Sequence, residues 1–295
     1  MAWSLDRTFR PFEGTRDALP VAVFRIAFFS GLALHFFPTL LWLDEAYRPG
    51  ALRSQEWNEW LFAHFWRYPH GEVRAWSILA MGGCVMAIAG LYPRVAAIVC
   101  GVGFYAFASF NALHLQTLAL IDAWAILLLW MLCGGGTATL SVEALLRKKP
   151  VPAVEPGLLP GLILYQVLLG VFFSGVEKLI AGWPWTNEMG TLLSYPRGFL
   201  VRDWVASWGF MRSSFVTHLF SWFTVAVELG TPVGLVFKRT RIVALVLYEA
   251  FFLGIIAMLE VPPLFYLTFA PGALLALDDE EVGRLRSWLA RVVRR

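Results

Sequence analysis

The chain has 295 residues, 58% of them hydrophobic and only 15% charged. A water-soluble domain of this size needs about 25% charged residues to cover its surface, so this chain faces lipid. Its net charge of +3, with no basic stripe interleaved with aromatics, excludes a nucleic-acid partner.

Residues 1–20 are mixed in charge and read as a cytoplasmic N-terminal segment. The apolar stretch behind them is long enough to span, which argues against a cleaved leader. About eight apolar runs follow, at roughly 21–43, 75–92, 95–112, 116–133, 158–181, 216–236, 242–259 and 261–277. Each is near the ~17–25 residues that a spanning helix needs. Backbone amides in hydrocarbon must be satisfied within their own segment, which selects helices, and no period-2 alternation supports a β-barrel. The expected fold is therefore all-α. It is a polytopic integral membrane bundle of about eight transmembrane helices in residues 21–277, with a cytoplasmic tail at 278–295. Pro93-Arg94, Lys238-Arg239-Thr240-Arg241 and Pro262-Pro263 punctuate the runs. The tail mixes acids and bases at helical spacing and predicts a short helix on anionic lipid. Cys84, Cys100 and Cys133 lie singly in apolar runs with no Cys-x-x-Cys pair. They read as small core hydrophobes, and no metal site is expected.

Orientation follows from the lysine and arginine bias. With the N-terminus inside, about fifteen of these residues fall in cytoplasmic pieces and about seven in outer loops. Both termini are then cytoplasmic, in a bacterial inner or plasma membrane. Two long loops, about 44–74 and 182–215, lie outside. One carries Trp57, Trp60 and Trp66; the other carries Trp183, Trp185, Trp204 and Trp208. Such loops either anchor the chain in the interface or bind a protein partner.

Ionisable residues inside the membrane are costly and mark function by default. Here they are Arg25, Asp122, Glu177, Lys178, Glu228 and Glu249, with His35 and His114 alongside. Arg25 can snorkel or pair with Glu249. Glu228 opens Glu228-Leu229-Gly230-Thr231-Pro232, where it either bonds backbone freed by the proline or serves a pocket. Lys178 closes a long uncharged stretch, just before Trp183 and Trp185. It must snorkel, pair with an acid such as Asp122 or Glu177, or sit neutral in a dry pocket and act as a base. Gly170, Ser174 and Gly175 make one face of its helix small, open to a close helix or a flat ligand.

The order of several motifs resembles the horizontally transferred transmembrane (HTTM) domain family, which includes the vitamin K-dependent γ-glutamyl carboxylase. They are Phe24-Arg25-Ile26, Gly90-Leu91-Tyr92-Pro93-Arg94, Ser141-Val142-Glu143-Ala144-Leu145, Gly175-Val176-Glu177-Lys178-Leu179 with Trp183, and Glu228-Leu229-Gly230-Thr231-Pro232 before Arg239-Thr240-Arg241. The resemblance implies that Lys178 is the base that deprotonates a reduced quinone such as vitamin K hydroquinone. It also implies that Asn111 and His114 match a pair preceding the fourth span. Glu249 stands where the family often has a histidine.

Two functions are consistent with these features. One is a quinol- or lipid-dependent, carboxylase-like enzyme (a lyase) with Lys178 and His114 as catalytic residues. Asn111, Asp122, Gly175 and Glu228 would line its cofactor site. The other is a non-enzymatic membrane scaffold or immunity-type protein whose outer loops dock a partner, with Lys178 held in a salt bridge. A transporter is disfavoured because no inverted repeat or paired broken helices are visible.

Overall fold

A computed structural model describes residues 14–41, 70–110, 117–137, 139–146, 154–186, 202, 205, 208–209, 213–259 and 263–293. In chain order they form strand β1 (Thr15–Asp17) and helices α1 (Ala18–Leu41), α2 (His70–Ala89), α3 (Pro93–Phe110), α4 (Thr117–Cys133) and α5 (Val142–Leu146). Strand β2 (Val154–Pro156) precedes helices α6 (Leu158–Ile180), α7 (Trp183–Thr186), α8 (Ser214–Val236), α9 (Arg241–Met258), α10 (Pro263–Ala273) and α11 (Asp279–Val293). Among the described residues four helices are long and apolar enough to cross a membrane: Ala18–His35, Leu158–Ile180, Ser214–Val236 and Arg241–Met258. Arg74–Ala89, Pro93–Phe104, Asp122–Cys133 and Pro263–Ala276 form shorter apolar helices. Among the described residues each apolar run thus falls largely in helix, and four of the helices are long and apolar enough to span. Trp57, Trp60, Trp66 and Trp204 of the long loops lie outside the described residues.

The chain divides into two units, residues 1–163 with 278–295, and residues 164–277. In the first unit, α2 and α3 form an antiparallel hairpin held together by small side chains. Ala80, Cys84 and Ala87 on α2 and Ala96, Ala97 and Cys100 on α3 are all fully buried. A Cβ on Gly83 would stand 2.5 Å from the Cys100 nitrogen and 2.9 Å from the Ala96 oxygen, so the two backbones nearly touch. Cys84 and Cys100 are free thiols with sulfurs 3.4 Å apart, and their burial agrees with a packing role. Around Trp130 of α4 gather Phe24, Phe28 and Phe29 of α1, with the Phe24 ring stacked at 5.9 Å.

One end of this unit collects its polar contacts. The N-terminus of α1 follows directly on a two-stranded antiparallel ribbon in which Arg16 is opposite Glu155. Arg25 is completely buried. Its guanidinium bonds within the first unit: Nη1 donates to the Gly136 carbonyl and Nη2 to that of Leu140. The Glu155 carboxylate accepts the Gly136 amide at 2.6 Å. Arg94 donates to the carbonyls of Leu132 and Cys133 at 2.9 and 3.0 Å, which satisfies the last turn of α4.

In the second unit α8 and α9 form a hairpin. Thr240 Oγ1 donates to the Gly234 carbonyl at 2.8 Å across the turn. Tyr248, fully buried on α9, donates its hydroxyl to the Phe269 carbonyl of α10 at 3.0 Å, beside the stacked rings of Phe252 and Phe269. Pro232 sits within α8. It has no N–H, so the Glu228 carbonyl one turn earlier lacks its usual helical donor.

The α2–α3 contact makes a direct test. Gly83→Ala is expected to lower stability by about 1–3 kcal/mol through overpacking against backbone. Gly82→Ala, where a Cβ meets nothing within 4 Å, should be neutral or slightly stabilising. Thermal unfolding of the two variants in detergent measures the difference.

Candidate functional site

The site is built from α6, α7 and α8 within the second unit. Lys178 lies in the last turn of α6, and Ser174 is one turn before it on the same face. Gly175 is buried against α8. A Cβ there would come within 2.9 Å of Glu228 Cβ and 3.0 Å of the Leu229 side chain, so only glycine lets α6 approach α8 this closely. The approach brings Lys178 Nζ to 2.8 Å from both Glu228 carboxylate oxygens, and Nζ also donates to Ser174 Oγ at 2.6 Å. The three donors of the ammonium thus point at three protein oxygens. The Lys178 side chain keeps 19% of its surface exposed and Glu228 only 8%.

Past the pair the chain turns sharply. Gly182 adopts φ +82, a left-handed conformation that ends α6 and starts α7 at once. The turn lays Trp183 back over the lysine, its ring centroid 5.4 Å from Nζ, within cation–π range. Trp185 of α7 packs against Trp222 of α8 with ring centroids 4.7 Å apart. Trp222 lies about 9 Å up α8 from Glu228 at 1.5 Å per residue. The ion pair therefore sits beneath an aromatic layer.

Several expectations change at this point. The acid facing Lys178 is Glu228, not Asp122 or Glu177. Glu177 is exposed, as neighbouring helix positions require. Asp122 is buried on α4 in the first unit and has contacts of its own. Glu228 spends its carboxylate on a side chain, not on backbone freed by Pro232; Val227, one residue earlier, is bonded by Thr231 Oγ1 at 2.7 Å. Asn111 and His114 lie outside the described residues. Sequence reasoning noted Ser174 for its small size and missed it as a ligand of the amine. The signal was its i, i+4 spacing to Lys178. It also passed over Trp222, which nothing in the linear order connects to Trp185. Glu249 carries a buried carboxylate oxygen with no hydrogen-bond partner.

Among the described residues no group of three or more His, Cys, Asp or Glu side chains is placed to hold a metal ion. A family model described as the HTTM domain matches residues 9–274. No curated protein and no solved structure matches the chain.

The pair makes a quantitative prediction. Lys178→Met or Glu228→Met alone strands a buried charge and should cost about 3–5 kcal/mol, whereas the double replacement should recover most of that loss. A double-mutant cycle of thermal unfolding in detergent measures the coupling.

Proposed function

This chain belongs to the HTTM domain family, and on that premise we propose that its Lys178–Glu228 pair is an acid–base site acting on a lipid-soluble reduced quinone. It is an integral membrane protein, with four helices long and apolar enough to cross the bilayer. The activity is carboxylase-like, a lyase reaction, and the lysine and arginine bias puts both termini in the cytoplasm. One observation carries the reading: an amine at the end of an apolar helix shares a carboxylate at 2.8 Å, yet keeps 19% of its side chain accessible.

The chemistry follows from the neutrality of the pair. A charged ammonium cannot accept a proton. Passing one proton from Nζ to Glu228 frees the amine lone pair without creating net charge, which a low-dielectric site tolerates. Ser174 holds Nζ along α6 during the exchange, and Trp183 covers it on another side. The freed amine then takes a proton from the hydroxyl of a bound ring, while Glu228 holds the compensating proton. The residues present suit a flat hydroxylated ring, since Trp183 offers an aromatic face 5.4 Å from Nζ. The reduced quinone supplies the electrons for the subsequent oxygen chemistry. Gly175 positions the two helices, and the family resemblance keeps Asn111 and His114 as candidate residues of the reaction.

A second reading rests on the same contacts. All three donors of the ammonium are met within the protein, as in a clamp between two helices. The chain would then be a scaffold or immunity-type protein whose outer loops dock a partner.

Absorption spectroscopy separates the two. Titration of the protein in lipid nanodiscs with a hydroquinone analogue near neutral pH should produce the long-wavelength band of the ionised ring. Lys178→Met should remove that band while the analogue still binds. Identical spectra from wild type and Lys178→Met, or no binding to wild type, would favour the clamp.

A further inference from the structure

The polar end of the first unit contains a cavity of about 780 Å³ that involves none of the residues of the Lys178 pair. Its wall is mainly apolar, with Leu19 of α1, Ile88 of α2 and Ala144 and Leu145 of α5, and Arg286 of α11 stands at its edge. Its volume is within the range of about 300–1,000 Å³ typical of small-molecule sites.

The surroundings are those of a membrane surface. Ser141 caps α5 by accepting the Ala144 amide at 3.0 Å, which holds this short helix with Leu145 80% exposed. Leu140 and Leu146 beside it are also exposed. Helix α11 starts in a capping box, in which Asp278 Oδ1 accepts the Glu281 amide at 3.0 Å and Glu281 Oε2 accepts the Asp278 amide at 2.8 Å. It buries Val282 and exposes Leu285 and Trp288 along with Arg284, Arg286 and Arg291. Apolar side chains displayed between arginines on an amphipathic helix are the pattern of one lying at the headgroup level.

Arg286 is fixed in place. Its Nη2 donates to Asp17 Oδ1 at 2.6 Å, and the same oxygen caps α1 by accepting the Leu19 amide at 2.8 Å. The bond to Asp17 uses one of five guanidinium donors, and 42% of the side chain remains exposed. A tethered, half-open guanidinium at the edge of an apolar cavity presents a phosphate-binding fork above a slot for hydrocarbon.

We propose that this cavity binds one anionic phospholipid, its acyl chain against Leu19, Ile88 and Leu145 and its phosphate on Arg286. The phosphate accepts from guanidinium donors that Asp17 leaves open. The chain covers leucines that would otherwise face the interface. A lipid held there would brace α11 against α1 and α5.

Native mass spectrometry of the full-length, delipidated protein tests this with short-chain phosphatidylglycerol and phosphatidylcholine as probes. Wild type should retain phosphatidylglycerol in preference. Arg286→Gln should weaken its retention by about tenfold, the value of a charge-assisted hydrogen bond. Asp17→Asn removes the tether's charge but keeps the cation and a capping side chain, so it should retain the lipid; this separates loss of the phosphate contact from loss of the helix. Ala144→Trp should fill the cavity and expel both lipids, and Arg291→Gln should change nothing. Equal retention of both lipids by wild type overturns the proposal. So does an undiminished preference in Arg286→Gln, or full occupancy in Ala144→Trp.

Discussion

Lipid offers no hydrogen-bond partners, so each polar group carried into the bilayer must find one inside the protein. A helix meets this demand for the backbone by itself. Side chains and helix ends must meet it by contact between segments, and such contacts are what tie this molecule together. Arg25 and Arg94 serve carbonyls near helix ends in the first unit, and Tyr248 does the same in the second. Lys178 and Glu228 satisfy each other. None of these groups is free to move without stranding a partner, so the polar contacts select one arrangement among the many that apolar helices in lipid would tolerate.

The Lys178–Glu228 pair is the contact on which both functional readings rest. Its net charge is zero, so it can remain in a poorly solvated place. Both a clamp and a base need that property. The proposed chemistry rests on the setting: family membership, a partly accessible amine, and an aromatic cover of Trp183 with Trp185 and Trp222 nearby. Pro232 also leaves the Glu228 carbonyl without its usual helical donor.

The first unit shows a different use of the same constraint. Its polar end sets the short helix α5 and the amphipathic helix α11 beside one cavity, with Arg286 among the residues that line it. Arginines that read in the sequence as a simple charge bias there become specific contacts: Arg94 caps a helix, and Arg286 is tethered beside a cavity. The contacts give each one a task.

Composition and periodicity alone determined the helical, lipid-facing class, because hydrocarbon permits few backbone solutions and each leaves a long apolar run. The small-residue spacing near Gly175, the lysine that ends an apolar helix and the motif order were also legible, since all are local. The lysine's partner was not. Asp122 and Glu177 were the acids suggested by depth or adjacency, whereas Glu228 lies fifty positions away along the chain. Only the packing of α6 on α8, possible because Gly175 has no side chain, brings the two charges together. The roles of Ser174 and Trp222 and the cavity beside Arg286 are equally products of tertiary contact. They depend on which faces of separate helices meet, and one-dimensional order records the faces but not their meeting.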